Sequence, residues 1–206
     1  SPFLARRMAG LLGVPTEVVS PYVEAGNYRG RHDGNRVLFV NPLRGKGLEI
    51  ALALARARPQ LPFTFVESRV LSEGWRAGCF ERALQCGNIE WLPKGNDMQS
   101  VFARARVLLL PRFSEEGFCR LVTEAQLGGV PVLASNRGHL AANVGPGGSL
   151  LDIDVGLDQW LEQLDRYVAD DDYRSRIAEQ ARVHAERSEL DQQKVGERLL
   201  GLLESH

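Results

Sequence analysis

The chain has 206 residues, of which 44% are hydrophobic and 25% are charged. The length allows one large α/β domain or two small ones, and the composition excludes disordered, collagen-like and disulfide-rich chains. The chain has 25 Lys and Arg residues and 26 Asp and Glu residues. It therefore has no excess positive charge with which to bind a nucleic acid or an anionic membrane.

The first 35 residues do not follow the pattern of the rest of the chain. Residues 3–12 have the apolar spacing of a helix, and Val18 and Val19 indicate a brief strand. The stretch 26–35 is rich in Gly, Arg and Asn, which is typical of a linker.

From residue 36 onward, short apolar runs alternate with helical patterns, which indicates a parallel sheet with crossover helices. The predicted strands cover residues 37–40, 63–67, 89–92, 107–110 and 130–134, with a weaker sixth at 150–153. The predicted helices cover residues 46–58, 73–85, 98–105 and 121–127. From residue 157 the apolar residues recur every three or four positions, which predicts a tail of two or three amphipathic helices.

Neither a metal site nor a membrane segment is predicted. The three cysteines, Cys79, Cys86 and Cys119, match no zinc or disulfide spacing, and His32, His139, His184 and His206 lie far apart in the sequence. The longest apolar run, residues 107–111, is far shorter than the ~20 residues that cross a bilayer. The first residues lack a signal-peptide pattern, so we expect a cytoplasmic protein.

The loop after the first predicted strand has the composition of an anion site. It reads NPLRGKG over residues 41–47, and Arg44 and Lys46 there could bind phosphate oxygens at a helix N-terminus. An ordinary solvated helix start has the same composition. Neither GxGxxG nor a Walker A pattern is present, so nicotinamide and P-loop sites are not indicated.

The loop after the fourth predicted strand carries two glutamates, Glu116 and Glu124, separated by seven residues. Glu115 cannot replace the first of them, because the residue eight positions after it is Thr123. On its own, the pair could simply complement the dipole of a helix start.

Taken in order, these segments resemble the glycosyltransferase family 4 members of the GT-B superfold. The donor-binding domain of that family has two glutamates in a frame like PSxxEGFGxxxxEAxxxGxPV. FVNPLRGKGLE resembles its phosphate loop, ARVLLLP the strand before the motif, and GGVPVLAS with RGHLAANVG the stretch after it. The resemblance covers nearly the whole chain and implies an α/β fold, one half of a GT-B enzyme, with a Rossmann-like parallel sheet of five to six strands and a C-terminal helical tail.

The resemblance also implies the roles of individual residues. Glu124 is expected to bind the donor ribose, and Glu116 and Lys46 are expected to be catalytic, with Lys46 stabilising charge on the leaving nucleoside diphosphate. Further contacts to the donor diphosphate and sugar are expected from Asn41, Arg44, Gly45, Gly117, Phe118, Cys119 and Arg120. The base is expected near Leu92, Pro93 and Lys94. Trp91 could stack on it, although a tryptophan in a strand also suits a core. The family scheme needs no metal or other cofactor beyond the nucleotide-sugar donor.

Three positions depart from the family pattern. Asn41 stands where an arginine is common, Cys119 replaces a glycine, and Ala142 replaces a glutamate. These changes bear on turnover more than on donor binding.

The resemblance divides the chain into three parts. Residues 1–35 resemble the end of an N-terminal domain and a linker, residues 36–188 the nucleotide-sugar-binding domain, and residues 189–206 a helix that returns toward the N-terminal domain. That acceptor-binding domain is the implied partner and is largely missing from this chain. We expect the last helix either to pack on residues 3–12 or to leave an apolar patch for self-association.

The expected function is that of the donor-binding domain of a retaining glycosyltransferase. The isolated chain should bind the donor but be inactive in transfer, because the acceptor is not positioned. Two alternatives stay open: a non-catalytic nucleotide-sugar-binding module, and a GT-B-type epimerase or phosphorylase.

Overall fold

The computed structural model describes residues 1–13, 16–28 and 34–204. Residues 29–33, half of the linker predicted at 26–35, lie outside these ranges, as do His32 and His206. Six parallel strands form one sheet: β1 (Arg36–Val40), β2 (Phe63–Val66), β3 (Ile89–Leu92), β4 (Ala105–Leu110), β5 (Val132–Ser135) and β6 (Gly148–Leu151). The helices are α1 (Pro2–Leu12), α2 (Leu48–Ala57), α3 (Glu73–Leu84), α4 (Met98–Ala103), α5 (Arg120–Leu127), α6 (Leu140–Val144), α7 (Leu157–Ala169), α8 (Asp171–Ala185) and α9 (Gln192–Glu204).

The predicted α/β class and all six predicted strands are confirmed, with shifts at several ends. Helix α2 begins at Leu48 rather than at residue 46, because Gly47 has a φ of 88° and interrupts the helical turn. Strand β5 begins at Val132 because the amide of Val130 still donates to the Ala125 carbonyl of α5. Helix α6 was not predicted.

The brief strand predicted at Val18 and Val19 is wrong. Within the described ranges, residues 16–24 have no regular secondary structure and no ladder with any of the six strands. Two neighbouring β-branched residues favour extended backbone, but a strand also needs a neighbour with which to share hydrogen bonds.

Both faces of the sheet are buried, which explains why the strands read as continuous apolar runs. Successive side chains of a strand point to opposite faces. Phe39 of β1 and Leu109 of β4 therefore lie in one cluster with Trp160 of α7. Leu38 and Leu108 lie in a second cluster, with Phe102 and Val122 from helices α4 and α5.

The sheet order β3-β2-β1-β4-β5-β6 determines where a ligand could bind. From β1 the chain moves outward through β2 and β3, then returns to place β4 on the other side of β1. Open parallel sheets bind ligands at the carboxyl ends of the strands where the order reverses. Here those are the ends of β1 and β4, which lead into the two loops that the sequence motifs occupy.

The two terminal helices are not buried against each other through their apolar side chains. Leu11 and Leu12 of α1 and Leu199, Leu200 and Leu203 of α9 are all exposed. These exposed side chains argue against close packing of the two helices through them, and an apolar patch that leads to self-association stays a prediction. Within the described ranges, no helix is long and apolar enough to span a membrane.

Candidate functional site

Two loops at the carboxyl edge of the sheet are joined directly. We call residues 41–47 the first loop and residues 111–119 the second loop. The amide of Phe113 donates to the Gly45 carbonyl across a distance of 3.1 Å. Gly47 lies so close to the second loop that a Cβ added there would be 2.0 Å from the Pro111 carbonyl oxygen. The approach of the loops therefore requires glycine at position 47.

A cluster of three charged side chains spans these loops. Lys46 Nζ and Arg112 Nη1 both donate to Glu116 Oε1. The side chains of Lys46, Glu116 and Arg112 are 20%, 17% and 6% exposed, respectively. Although burial raises the pKa of Glu116, the hydrogen bond from Lys46 and the charge of Arg112 hold that pKa below its ordinary value. Glu116 is therefore a carboxylate at neutral pH, with one excess positive charge beside it.

The backbone of Glu116 is tied to the segment after β5. Its carbonyl accepts from the amide of His139 at 2.8 Å, and Glu116 forms a bridge with Gly138. Gly138 has a φ of 60°, and a Cβ there would collide with the backbone of Glu116. The second loop is thus held from both sides, by the first loop and by residues 138–139.

Glu124 on α5 has a different environment from that of Glu116. Burial raises its pKa, and this effect is only partly offset by the charge of Arg120 and a hydrogen bond from Tyr28. The nearest nitrogen of Arg120 is 3.6 Å away, and the Arg120 side chain is largely exposed. The two glutamates of the motif are therefore held in opposite electrostatic settings.

Three predicted donor-binding residues already have partners within the protein. Asn41, at a φ of 62°, accepts hydrogen bonds on Oδ1 from the amide and hydroxyl of Ser68 at 3.1 and 3.0 Å. The guanidinium of Arg44 lies over the ring of Trp75, 5.5 Å from its centre. The amide of Cys119 donates to Asn143 Oδ1 at 3.1 Å. The roles of these three residues in donor binding stay predictions. To bind a donor through the same groups, each residue would have to give up its present contact.

The residues predicted to hold the base lie at the end of β3 and directly after it, and β3 is two strands away from β1. Leu92 packs against the core on one side of the sheet. On the other side, Trp91 donates to Glu67 Oε1 at 2.6 Å and packs edge-on against Phe80. Pro93 lines an open cavity beside these two rings. Lys94 is exposed, and the contacts above do not link these residues to the charged cluster.

Helix α1 lies against the second loop. Arg7 Nη1 is 2.5 Å from Glu115 Oε2, and a Cβ added at Gly117 would be 2.5 Å from Leu4 Cδ1. The backbone of Gly117, which is expected to cradle the donor, is therefore in contact with α1. Phe118 borders a neighbouring cavity of about 590 Å³ together with His139 and Ala142.

Sequence reasoning missed two site residues. Arg112 follows Pro111 in the motif loop and could have been noticed as a second cation there. Tyr28 lies in the stretch interpreted as a linker, and no local pattern indicated that it helps to lower the pKa of Glu124. Among the described residues, no group of three or more His, Cys, Asp or Glu side chains could hold a metal ion.

Comparisons with solved structures show the same fold in larger proteins. Sucrose-phosphate synthase from Thermosynechococcus elongatus superposes with a TM-score of 0.85 at 17% identity, covering 100% of this chain and 56% of the synthase. HepE from Anabaena, in complex with UDP-glucose, has a TM-score of 0.83 at 18% identity, covering 98% of this chain and 62% of HepE. At such identities the likeness shows the fold alone.

Sequence comparisons add the family. Over 92 residues the chain is 38% identical to a D-inositol 3-phosphate glycosyltransferase from Corynebacterium urealyticum, covering 44% of this chain and 22% of that protein. The chain thus spans less than two thirds of each of these three relatives. The sequence pattern of the family described as glycosyl transferases group 1 matches residues 27–184. Because this match covers well over half of the chain, the protein belongs to the glycosyl transferases group 1 family.

Proposed function

We propose that this chain is the donor-binding, C-terminal domain of a retaining, family 4 glycosyltransferase of the GT-B type. It would bind a nucleotide-sugar, and an acceptor-binding domain outside this chain would present the acceptor. The contact between Lys46 and Glu116 across the two loops carries the proposal, because it places a cation and a carboxylate where the strand order of the sheet reverses.

Lys46 is suited to the diphosphate of the donor. It precedes helix α2, whose N-terminal amides favour an anion, and its side chain is partly exposed. In the proposed reaction, Lys46 would neutralise charge as the bond between the sugar and the nucleoside diphosphate breaks, which is an electrostatic form of catalysis. Glu116 would lie beside the transferred sugar.

Glu124 is suited to the ribose. A carboxylate can accept hydrogen bonds from both hydroxyls of a vicinal diol, and these bonds would favour the charged form that burial now disfavours. The Glu124 carboxylate would then interact with both Tyr28 and the ribose. Donor binding without a metal, and a cytoplasmic location, stay predictions within this proposal.

The relatives support a choice of first ligands. HepE was crystallised with UDP-glucose, so UDP and UDP-glucose are the first probes. The residues after β3 do not choose among bases, so GDP, ADP and TDP complete the set.

The test is thermal unfolding of the chain with each probe at about 100 times its dissociation constant, where binding adds ~2.7 kcal/mol. At ~2–4 °C per kcal/mol for this chain length, Tm should rise by roughly 5–11 °C. The rise should disappear in Lys46→Met and Glu124→Ala and persist in Lys194→Met, which removes the same charge from helix α9. No rise with any probe, or an equal rise in Lys46→Met, would overturn the proposal.

A second candidate is a nucleotide-sugar-binding module without catalysis. Three observations favour it. The side chain of Asn41 is already hydrogen-bonded to Ser68, and the amide of Cys119 is already hydrogen-bonded to Asn143. Position 142 is an alanine and therefore lacks a carboxylate. The discriminating measurement is release of nucleoside diphosphate from bound donor by the chain together with its acceptor-binding domain. Binding without release, and a gain of release in a Cys119→Gly, Ala142→Glu variant, would favour the module.

A further inference from the structure

Glu116 has two cationic partners, and they are held in very different ways. Arg112 is almost fully buried, and its backbone is anchored on both sides. Its amide donates to the Leu110 carbonyl at 2.9 Å, and its carbonyl accepts from the hydroxyl of buried Ser135 at 2.6 Å. The guanidinium therefore starts from a fixed point at the end of β4.

Lys46 is the more movable of the two partners. Its side chain is about three times as exposed as that of Arg112, and it lies in a one-turn helix of the first loop. A lysine carries a point charge on a flexible stem, whereas an arginine fork is rigid and planar. Lys46 can thus turn toward a new anion without disturbing the sheet.

We propose that Arg112 is a positioning residue that holds the Glu116 carboxylate in place when Lys46 turns from it to the donor diphosphate. This inference rests on the proposed function and deepens it, since it states how Lys46 can bind first the Glu116 carboxylate and then the donor diphosphate. The two nitrogens share a single acceptor, Oε1, so the carboxylate keeps a direct bond after Lys46 leaves.

The energetics explain why a second cation is needed. A largely buried carboxylate that loses its partner is strongly destabilised. Without Arg112, Glu116 would therefore retain Lys46, and a diphosphate would compete poorly for it. With Arg112 in place, the charges of both cations keep the pKa of Glu116 low before binding, and Arg112 alone keeps it low afterwards.

The test follows the pKa of Glu116 by carbon-13 NMR of labelled glutamate side chains, assigned with Glu116→Gln. The wild-type chain, Arg112→Met, Arg112→Lys and Lys46→Met are compared, free and with the nucleoside diphosphate that gives the largest thermal shift. Arg112→Met should raise the pKa of free Glu116 by about one unit or more, and Arg112→Lys should restore it in part. In the wild type the pKa should stay below its ordinary value when the nucleotide binds.

A double-mutant cycle separates positioning from direct contact with the donor. Arg112→Met should weaken nucleotide binding by about tenfold, as expected for residues in one network, but by less than about twofold in a Glu116→Gln background. An effect of equal size in both backgrounds, or an unchanged pKa of Glu116 in Arg112→Met, would overturn the proposal. If no nucleotide binds to the wild type, both the proposed function and the proposed role of Arg112 fail. If nucleotide binds but the cycle is additive, only the role of Arg112 fails.

Arg112→Lys keeps the test possible if Arg112→Met misfolds. If Arg112→Met does not fold, the conservative variant still tests the inference, because it keeps the charge but loses the rigid fork. Its Glu116 pKa should then lie above that of the wild type when nucleotide is bound. An identical pKa would count against the proposal.

Discussion

Replacing Gly47 with alanine should separate the two loops of the candidate site. Gly47 has a φ of 88°, and left-handed backbone costs a residue with a Cβ about 1–2 kcal/mol. The new Cβ would also lie 2.0 Å from the carbonyl oxygen of Pro111 and 2.5 Å from its Cγ. Because the oxygen belongs to the backbone, the second loop must move, which adds about 1–3 kcal/mol, as overpacking does.

Gly47→Ala should therefore lower the free energy of unfolding by about 2–5 kcal/mol in total. Gly45→Ala is the matched control. Gly45 lies in the same loop, has no positive φ and has open space around its Cβ position, so its change should stay within about 1 kcal/mol. Urea unfolding at 25 °C, followed by circular dichroism, measures both. Equal stability of the two variants would refute the close approach of the loops.

The two motif glutamates should give stability contributions of opposite pH dependence. Since the pKa of Glu116 is lowered, its contribution is present above the pKa of the unfolded chain and is lost as pH falls through the folded pKa. The advantage of wild type over Glu116→Gln should thus shrink from about pH 7 to about pH 3. Since the pKa of Glu124 is raised, its contribution is present below the unfolded pKa and is lost as pH rises through the folded pKa. Wild type should thus lose stability relative to Glu124→Gln from about pH 4 to about pH 7; slopes of the same sign in urea unfolding would contradict the assigned environments. Leu164→Ala in α7, which empties a fully buried position, should cost about 2–5 kcal/mol, whereas Leu157→Ala at an exposed position of the same helix should cost under about 1 kcal/mol; similar thermal shifts for the two would contradict the packing of α7 on the sheet.

Local patterns were sufficient to predict the element types. A run such as residues 107–110 indicates a strand buried on both faces, because it is apolar throughout and too short for a helix. The helix ends were less predictable. Nothing in the letters RGKGLE shows that Gly47 adopts a left-handed φ and delays α2 to Leu48, because that conformation depends on the approach of Pro111.

The candidate site could be predicted as two loops but not as a set of contacts. The spacing of Glu116 and Glu124 and the cation at Lys46 can be read from the sequence. It could not be predicted that Asn41 bonds Ser68, that Cys119 bonds Asn143, or that Arg112 joins Lys46 at one oxygen. Each of these contacts requires a partner on another loop, whose direction depends on the packing beneath it.

The sequence by itself therefore determined the α/β class, the six strands and the family of this protein, because periodicity and motif spacing act over short stretches of chain. Only the tertiary structure decided which charges meet. Lys46 and Glu116 are 70 residues apart, and they touch because the sheet places β4 directly beside β1. That order comes from burying both faces of the sheet under helices, which no single segment specifies.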